Sequence, residues 1–278
     1  MRSSDIFITV NPEKRRRVSP LPFFFQQGES MNIVKNTAGR SISFLSGEFS
    51  GWKIWEVIYL VSCTIAIAGI SFYLGDTLLG IASAITGTLY TLLAGKGKIS
   101  CYFFGIFNSA AYGYIAFEQK LYGDTALNWC WYLPMMFAGI VFWRKKMDDT
   151  QCVIKNHLNG FQRIILIFCC TAGIFAMAAV LAYFGDKQPV TDASTTVLSI
   201  AAMFLTIRRC VEQWLLWILV NGISVFMWMR VYLAEGNSIA TLLWWLIMLF
   251  TGIIFLIQWH RDLKSAEKNQ LISRQSGA

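Results

Sequence analysis

Two asparagines in this 278-residue sequence are placed where a buried polar molecule could be bound. Asn108 and Asn221 each lie near the middle of a run of mostly apolar residues, where a polar side chain is costly and needs a partner. An amide both donates and accepts hydrogen bonds, so this pair suits a neutral substrate rich in hydroxyl and carboxamide groups. The alternative is that each amide only bonds a neighbouring helix, which contributes about 0.6 kcal/mol on average.

Asn221 lies on a helical face that also carries aromatic residues. Trp217 and Trp214 precede it by four and seven residues, a spacing that places all three on one face of a helix. Indole rings on that face could hold a flat ring by stacking or by a cation–π contact. Trp214 could equally belong to an aromatic belt at the membrane surface. Gln213 offers a further amide, or is an ordinary solvated residue at a helix start.

A second cluster contains Asn128, Trp131 and Tyr132, which fall within about one helical turn. Anchoring at the membrane surface competes with substrate binding for these residues. Trp131 returns later in the chain as Trp244, and this retention favours a role in a cavity. The predicted substrate-binding residues are therefore Asn108, Asn128, Trp131, Tyr132, Gln213, Trp214, Trp217, Asn221 and Trp244.

The inventory of reactive residues argues against an enzyme. The only histidines are His157 and His260, and both fall in basic stretches. None of the 7 cysteines forms a C-x-x-C pair, and carboxylates are scarce in the apolar runs. We therefore expect no catalytic residue, no metal site, no cofactor and no proton relay. No phosphate-binding P-loop is present either, which favours passive passage over ATP-driven pumping.

Composition indicates a membrane protein with many spans. Hydrophobic residues make up 55% of the chain and charged residues only 14%, against about 25% charged in soluble domains. The net charge of +8 comes from short basic clusters between apolar runs, which is typical of a cytoplasmic membrane face and not of nucleic-acid binding. Eight spans are predicted, at 54–74, 78–94, 100–117, 125–143, 163–184, 190–207, 213–233 and 239–259.

The connections between these spans alternate between basic and acidic, which predicts that both termini are cytoplasmic. The chain also repeats itself. At an offset of 113 residues, Asn108 matches Asn221, Trp131 matches Trp244 and Gly139 matches Gly252. A repeat of four spans returns the chain to its starting face. The two halves should therefore be parallel, with a binding site where they meet.

Several runs of the sequence resemble the PnuC family of vitamin B3-related transporters. They are GKGKISCYFFGIFN at 95–108, AYGYIA at 111–116, KLYG at 120–123, NWCWYLP at 128–134, Trp143, EQW at 212–214 and WILVN at 217–221. The resemblance implies a nicotinamide riboside transporter of the bacterial inner membrane, working by facilitated diffusion, with cytoplasmic phosphorylation trapping the substrate. It also implies a homotrimer and functional coupling to a nicotinamide riboside kinase. Related proteins carry thiamine or riboflavin, and these substrates remain alternatives, as does a membrane receptor or scaffold.

The family's fold resembles a full-length SWEET transporter, an all-α membrane protein in which two parallel three-helix bundles flank a linker helix. Seven spans of that fold and the eight counted here agree if the first is an extra N-terminal helix. The resulting division, in order, is a cytoplasmic leader (1–53), the extra helix (54–74), the first bundle (78–143), a cytoplasmic connection with the linker helix (144–189), the second bundle (190–259) and a cytoplasmic tail (260–278).

Overall fold

The described part of the chain is helical. A computed structural model describes residues 52–276, apart from 74, 76, 119–121, 149–150, 186–187 and 236–238. The predicted leader lies almost wholly outside the described residues. The eight helices are α1 (Ile54–Tyr73), α2 (Leu78–Lys96), α3 (Cys101–Glu118), α4 (Tyr122–Ala126, Leu127–Tyr132 and Leu133–Arg144), α5 (Gly160–Tyr183), α6 (Pro189–Ile207), α7 (Glu212–Glu235) and α8 (Ile239–Ser276).

Each predicted span coincides with one helix, with one large difference at the end of the chain. Helix α8 continues through Ser276, so most of the segment expected as a tail, 260–278, is helical. Of the described helices, 6 are long and apolar enough to cross a membrane by length and composition. The other two, α3 and α7, are the helices that carry Asn108 and Asn221. The polar content that lowers their hydropathy is the same content that marks them as candidates for binding.

Local sequence signals explain where several helices begin and end. The Thr77 hydroxyl accepts a hydrogen bond from the Gly80 amide and so caps α2. Asn159 and Gln162 form a reciprocal capping box at the start of α5. Gly97 ends α2 in the left-handed conformation, with φ of 73°.

Helix α4 changes its winding in the middle. Residues Leu127–Tyr132 are π-helical, and the Leu133 amide donates to the Asn128 carbonyl five residues earlier. Pro134 follows directly and has no amide hydrogen, so it cannot continue the ladder of the preceding turn. The sequence predicts a disturbance at Pro134, and the structure gives it the form of a π-helical turn.

The helices contact one another in a pattern that occurs twice. Helix α3 packs against α2 and α4, and α7 packs in the same way against α6 and α8. We call α2–α4 the first group and α6–α8 the second group. Helix α1 lies on the first helix of the first group, and α5 lies on the first helix of the second. Two seams join the groups, one between α4 and α6 and the other between α2 and α8.

The basic connections lie together at one end of the helices. The Val153 amide donates to the Gly97 carbonyl over 2.9 Å, and the Asn156 amide donates to the Arg209 carbonyl over 2.8 Å. The loop that joins the two groups therefore braces the turn after α2 and the turn after α6. We call this the basic end, defined by residues 97–100, 145–148, 151–159 and 208–211. Lys155 of the same loop forms an ion pair with Asp262 in the extension of α8.

Candidate substrate-binding site

The first turns of α7 bury the polar and aromatic residues predicted to bind substrate. Gln213 is 1% exposed, Trp214 is 3% exposed and Asn221 is 8% exposed, and Trp217 between them is partly buried. Steps of three and four residues along a helix keep Trp214, Trp217 and Asn221 on one face. The burial of Trp214 argues against its placement in an aromatic belt at the membrane surface, and the burial of Gln213 argues against a solvated helix start.

Four of the predicted residues carry buried hydrogen-bond donors without a partner. Among the described side chains, six buried polar atoms make no hydrogen bond, and four of these six are Trp131 Nε1, Gln213 Nε2, Trp214 Nε1 and Trp244 Nε1. Nearly all buried polar groups in proteins are hydrogen-bonded, and each exception needs an explanation. All four atoms are N–H donors, so together they are suited to a ligand that presents hydrogen-bond acceptors.

Aromatic side chains of α8 pack against Trp214. Its ring lies 5.2 Å from the ring of Phe255 and 5.9 Å from that of Trp259. These three residues belong to a hydrophobic cluster built from both groups, which we call the aromatic cluster because it also contains Tyr102 and Trp143. The predicted residues Trp131, Tyr132 and Trp217 pack against this cluster.

Tyr132 and Trp217 also join other parts of the molecule to that cluster. The Tyr132 side chain lies close to Ser199 of α6 across the α4–α6 seam. Trp217 packs against a second hydrophobic cluster, which α5, α6 and α7 form around Leu205 and Leu216. A change in the separation of α4, α6 and α7 would therefore alter the contacts of both side chains.

Asn108 and Asn128 have partners inside the first group. Asn108 Nδ2 donates to the Ser83 carbonyl over 2.8 Å and to the Ser83 hydroxyl over 3.1 Å. Asn128 is buried in the π-helical turn and donates to the Asp124 carbonyl over 2.9 Å. For Asn108 this geometry is the interhelical hydrogen bond that the sequence left open as an alternative. No described contact joins Asn108 to Asn221.

The register of the repeat explains why the two asparagines differ. At the start of α3 the Cys101 amide donates to the Lys98 carbonyl, and at the start of α7 the Gln213 amide donates to the Cys210 carbonyl. These equivalent bonds are 112 residues apart (213 − 101), one fewer than the offset read from the sequence. One residue turns a helix by about 100°. Asn221 is thus equivalent in position to Ser109, and the pairing of Asn108 with Asn221 is wrong in the structure.

The offset also differs toward the ends of the third helices. Trp143 packs edge-on against Tyr102 in the first group, and Trp259 packs edge-on against Trp214 in the second. These tryptophans are 116 residues apart (259 − 143). Trp131 lies in the π-helical turn, where the register of α4 changes, so its pairing with Trp244 stays a prediction.

Trp244 lies apart from the α7 residues in the described contacts. Its ring packs edge-on against Trp245 at 4.6 Å, and its buried indole nitrogen has no partner. The residues around Trp214 that sequence reasoning missed are Phe255 and Trp259. Their signal was weak, because an aromatic residue near the end of an apolar run is ordinarily a surface anchor.

The candidate residues are packed against other side chains. A cleft of about 530 Å³ lies elsewhere, among α6, α7 and α8. It is lined by Val190, Thr191, Ser194, Ile218, Leu219, Gly222, Ile223, Phe226 and Leu249. None of the nine predicted residues is among them.

Charged groups near the site are held by partners at the basic end. Glu212 is buried and accepts hydrogen bonds from the Leu158 amide at 3.1 Å and from Arg163 Nε at 3.0 Å. Burial, assisted by the neighbouring Glu212 carboxylate, raises the pKa of the Cys210 thiol to about 11, so this cysteine is neutral near pH 7. Across the described residues, no three His, Cys, Asp or Glu side chains come together as metal ligands. The candidate residues offer amide and indole groups, which can hydrogen-bond and stack.

Known proteins resemble this chain over most of its length. Residues 77–261 match the family described as nicotinamide mononucleotide transporter. The nicotinamide riboside transporter PnuC of Neisseria mucosa is 32% identical over 222 residues, which are 78% of this chain and 84% of that protein. The PnuC of Haemophilus influenzae is 36% identical over 188 residues, 66% of this chain and 83% of that protein.

A solved structure agrees with these relatives. The crystal structure of the vitamin B3 transporter PnuC matches with a TM-score of 0.69 and 31% identity, covering 80% of this chain and 98% of that one. These proteins are named as transporters and not as enzymes. The chain therefore belongs to the nicotinamide mononucleotide transporter family, whose relatives include the PnuC proteins, and the resemblance seen in its sequence is confirmed.

Proposed function

We propose that this protein carries nicotinamide riboside across a membrane. The observation that carries the proposal is the set of buried, unpartnered N–H donors on Trp131, Gln213 and Trp214. Nicotinamide riboside presents a carboxamide oxygen and ribose hydroxyls, which are acceptors for these donors. Its relatives from Neisseria mucosa and Haemophilus influenzae are named for the same substrate.

The aromatic rings supply the second half of the recognition. The nicotinamide ring of the riboside is a flat pyridinium that carries a positive charge. Trp214 and Trp217 offer π faces that attract a cation more strongly when water is excluded. Asn221 follows on the same helical face and is placed to bond the carboxamide or a ribose hydroxyl.

We further propose that passage is facilitated diffusion and that phosphorylation by a cytoplasmic kinase traps the substrate. Glu212, which directly precedes Gln213, has a structural role, because its carboxylate accepts hydrogen bonds from Arg163 and from the Leu158 amide. The scarcity of other carboxylates in the apolar runs supports a carrier without proton coupling.

The proposed architecture is two parallel three-helix bundles, α2–α4 and α6–α8, with α5 as the linker and α1 as the extra helix. The twofold occurrence of the helix contacts supports it. The proposed setting is the bacterial inner membrane, with both termini in the cytoplasm and with homotrimer assembly. The basic end would then face the cytoplasm, in keeping with the positive-inside rule.

Calorimetry on the purified protein tests the substrate. We expect heat of binding with nicotinamide riboside and none with thiamine or riboflavin. Nicotinamide mononucleotide is the second candidate, because the family description names it and it differs from the riboside by one phosphate. Binding of another of these compounds in place of the riboside would overturn the assignment.

Two variants test the site. Asn221→Ala removes a buried amide on the aromatic face, and we expect affinity to fall by about 1–3 kcal/mol, or roughly 5- to 150-fold. Asn108→Ala is the matched control, because the Asn108 amide is already bonded to Ser83. It should lower stability and leave affinity unchanged. Equal affinity losses in both variants, or none in either, would contradict this placement of the site.

A transport assay separates a carrier from a receptor that only binds. Liposomes loaded with nicotinamide riboside kinase and ATP should accumulate label from external nicotinamide riboside. Liposomes loaded with ATP alone should only equilibrate with it. Binding without entry into either preparation would identify a receptor.

A further inference from the structure

We propose that Trp143 and Trp259 form a paired closure at the basic end, and that releasing their indole bonds opens the site toward that face. The inference rests on the proposed function, because a closure has a role only in a transporter. The hydrogen bonds that form it, and the first experiment that tests it, do not depend on which substrate is carried. Both tryptophans lie outside the nine residues predicted to bind substrate.

The two indoles make reciprocal bonds across the two seams. Trp143 Nε1 on α4 donates to the Thr206 carbonyl on α6 over 3.0 Å. Trp259 Nε1 on α8 donates to the Gly95 carbonyl on α2 over 2.6 Å. Both tryptophans are 0% exposed. Trp143 lies at the end of α4 and Trp259 lies within the long helix α8. Each group therefore uses its third helix to hold the end of the first helix of the other group.

The positions of the acceptors make these bonds suitable for a gate. Gly95 and Thr206 lie in the last turns of α2 and α6. The Thr206 carbonyl also accepts a hydrogen bond from the Arg209 amide over 2.9 Å, so it keeps a partner when the indole leaves. An indole can leave such a carbonyl without unwinding the helix. The two bonds fix the spacing of the groups at one end, and their loss frees only that end.

Both tryptophans of the closure belong to the aromatic cluster. Trp259 packs edge-on against Trp214, with 73° between the rings, and Trp143 packs edge-on against Tyr102 at 84°. A ligand that draws the Trp214 N–H toward itself would move the ring against Trp259. Ligand binding and opening are thereby coupled through the contact between Trp214 and Trp259 in the second group.

The α2–α8 seam is closely packed around this bond. A Cβ atom added at Gly95 would lie 2.2 Å from the Phe255 ring, closer than side chains can approach. Lys155 from the loop that joins the groups lies over the Trp259 ring, 5.2 Å from its centroid. The Gly95 position therefore provides a second way to force the seam apart without removing either tryptophan.

The first experiment measures the reactivity of Cys101, which is fully buried at the start of α3 beside Tyr102. The full-length chain keeps Cys101 and carries alanine at the other cysteines. A membrane-impermeant maleimide is applied to vesicles of both orientations. Trp143→Phe and Trp259→Phe keep an aromatic ring and remove the N–H donor. Loss of one bond worth about 1 kcal/mol should raise labelling from the basic end about fivefold.

Two matched controls separate the seams from general loosening. Trp129 Nε1 donates to the Ala110 carbonyl within the first group, so Trp129→Phe should leave labelling unchanged. Gly95→Ala should raise labelling in the same way as the tryptophan variants. Gly113→Ala places a methyl group equally close to an aromatic ring, 2.2 Å from Trp129, but within one group, and should not raise it.

Equal labelling in wild type, Trp143→Phe, Trp259→Phe and Gly95→Ala would overturn the closure. So would an equal rise in the Trp129→Phe control. If a tryptophan variant does not fold, as judged by gel filtration, Gly95→Ala decides the result. Labelling needs no substrate, so a failure of nicotinamide riboside to bind refutes the proposed function and leaves this measurement intact.

Transport gives the readout that a purely structural role would not move. In Trp143→Phe, whose ring packs on Tyr102, we expect the maximal rate of uptake to change while the calorimetric Kd stays within about twofold of wild type. An altered Kd with an unchanged maximal rate would place this tryptophan in the binding site and reject its role as a closure.

Discussion

Gln213→Met should have opposite effects on stability and on binding. The Gln213 side chain is almost fully buried, and its Nε2 donates to no described atom. Methionine has nearly the same length and volume but carries no donor. If Nε2 is kept for a ligand, then its removal relieves a cost in the ligand-free protein and removes a bond from the complex.

The magnitude follows from the cost of an unpaired buried group. Burying such a donor without a partner costs about 1–3 kcal/mol of stability, which the substitution recovers. If the side-chain oxygen also makes a hydrogen bond, the loss of that bond reduces the gain by about 1 kcal/mol. For a chain of this size each kcal/mol corresponds to about 2–4 °C. We therefore expect the Tm of ligand-free Gln213→Met to equal or exceed that of wild type by a few degrees. Affinity for nicotinamide riboside should fall about 5- to 150-fold.

Thermal unfolding without ligand and titration calorimetry supply the two measurements. Gln258→Met is the control for binding, because Gln258 Nε2 donates to Glu56 over 3.3 Å while its buried Oε1 has no partner. It should leave affinity unchanged. The reasoning is refuted if Gln213→Met binds as wild type does, or if both variants lose stability and affinity together.

Two further predictions concern stability. Gly97→Ala should lower the free energy of unfolding by about 1–2 kcal/mol, because Gly97 has φ of 73° and its added Cβ would lie 3.2 Å from Val153; an unchanged Tm would contradict this. Glu56→Gln removes the carboxylate that lies 2.7 Å from the buried Lys96 ammonium and should cost about 3 kcal/mol by chemical denaturation. Adding Lys96→Met should recover part of that loss, and a double variant no more stable than Glu56→Gln would argue against the pair.

The positions of the helices could be predicted from the sequence because each apolar run is long enough to span a membrane. Two features could not. Residues 260–276 are charged and carry no apolar stripe, so nothing in them distinguishes a helix that continues from α8 from a loose tail. Pro134 has no amide hydrogen to donate, and the sequence does not show how α4 accommodates this. The π-helical turn depends on the packing of α4 against neighbouring helices.

The site could be predicted in part. Composition and spacing identified Gln213, Trp214 and Trp131, and the structure gives each of them an unpartnered buried donor. The same reasoning paired Asn108 with Asn221, because identical residues recur at a fixed offset. A helix turns by about 100° per residue, so an error of one residue in the offset changes which neighbour a side chain faces. Sequence identity alone cannot fix that register, whereas the hydrogen bonds at the helix starts do.

The two seams share a backbone plan but are held together in different ways. Gly139 and Phe255 occupy equivalent positions, 116 apart (255 − 139), and Phe255 fills space against Gly95 across the α2–α8 seam. Helix α1 also bridges this seam, since Tyr59 bonds Thr251 over 2.7 Å and Glu56 joins Lys96 to Gln258. Helix α5, the equivalent of α1, contacts α6 and makes no such bridge to α4 in the described part of the chain. Helices α4 and α6 instead contact each other more extensively than α2 and α8 do. The α2–α8 seam therefore depends more on side-chain hydrogen bonds and the α4–α6 seam more on packing, so loss of a single donor should loosen the α2–α8 seam more.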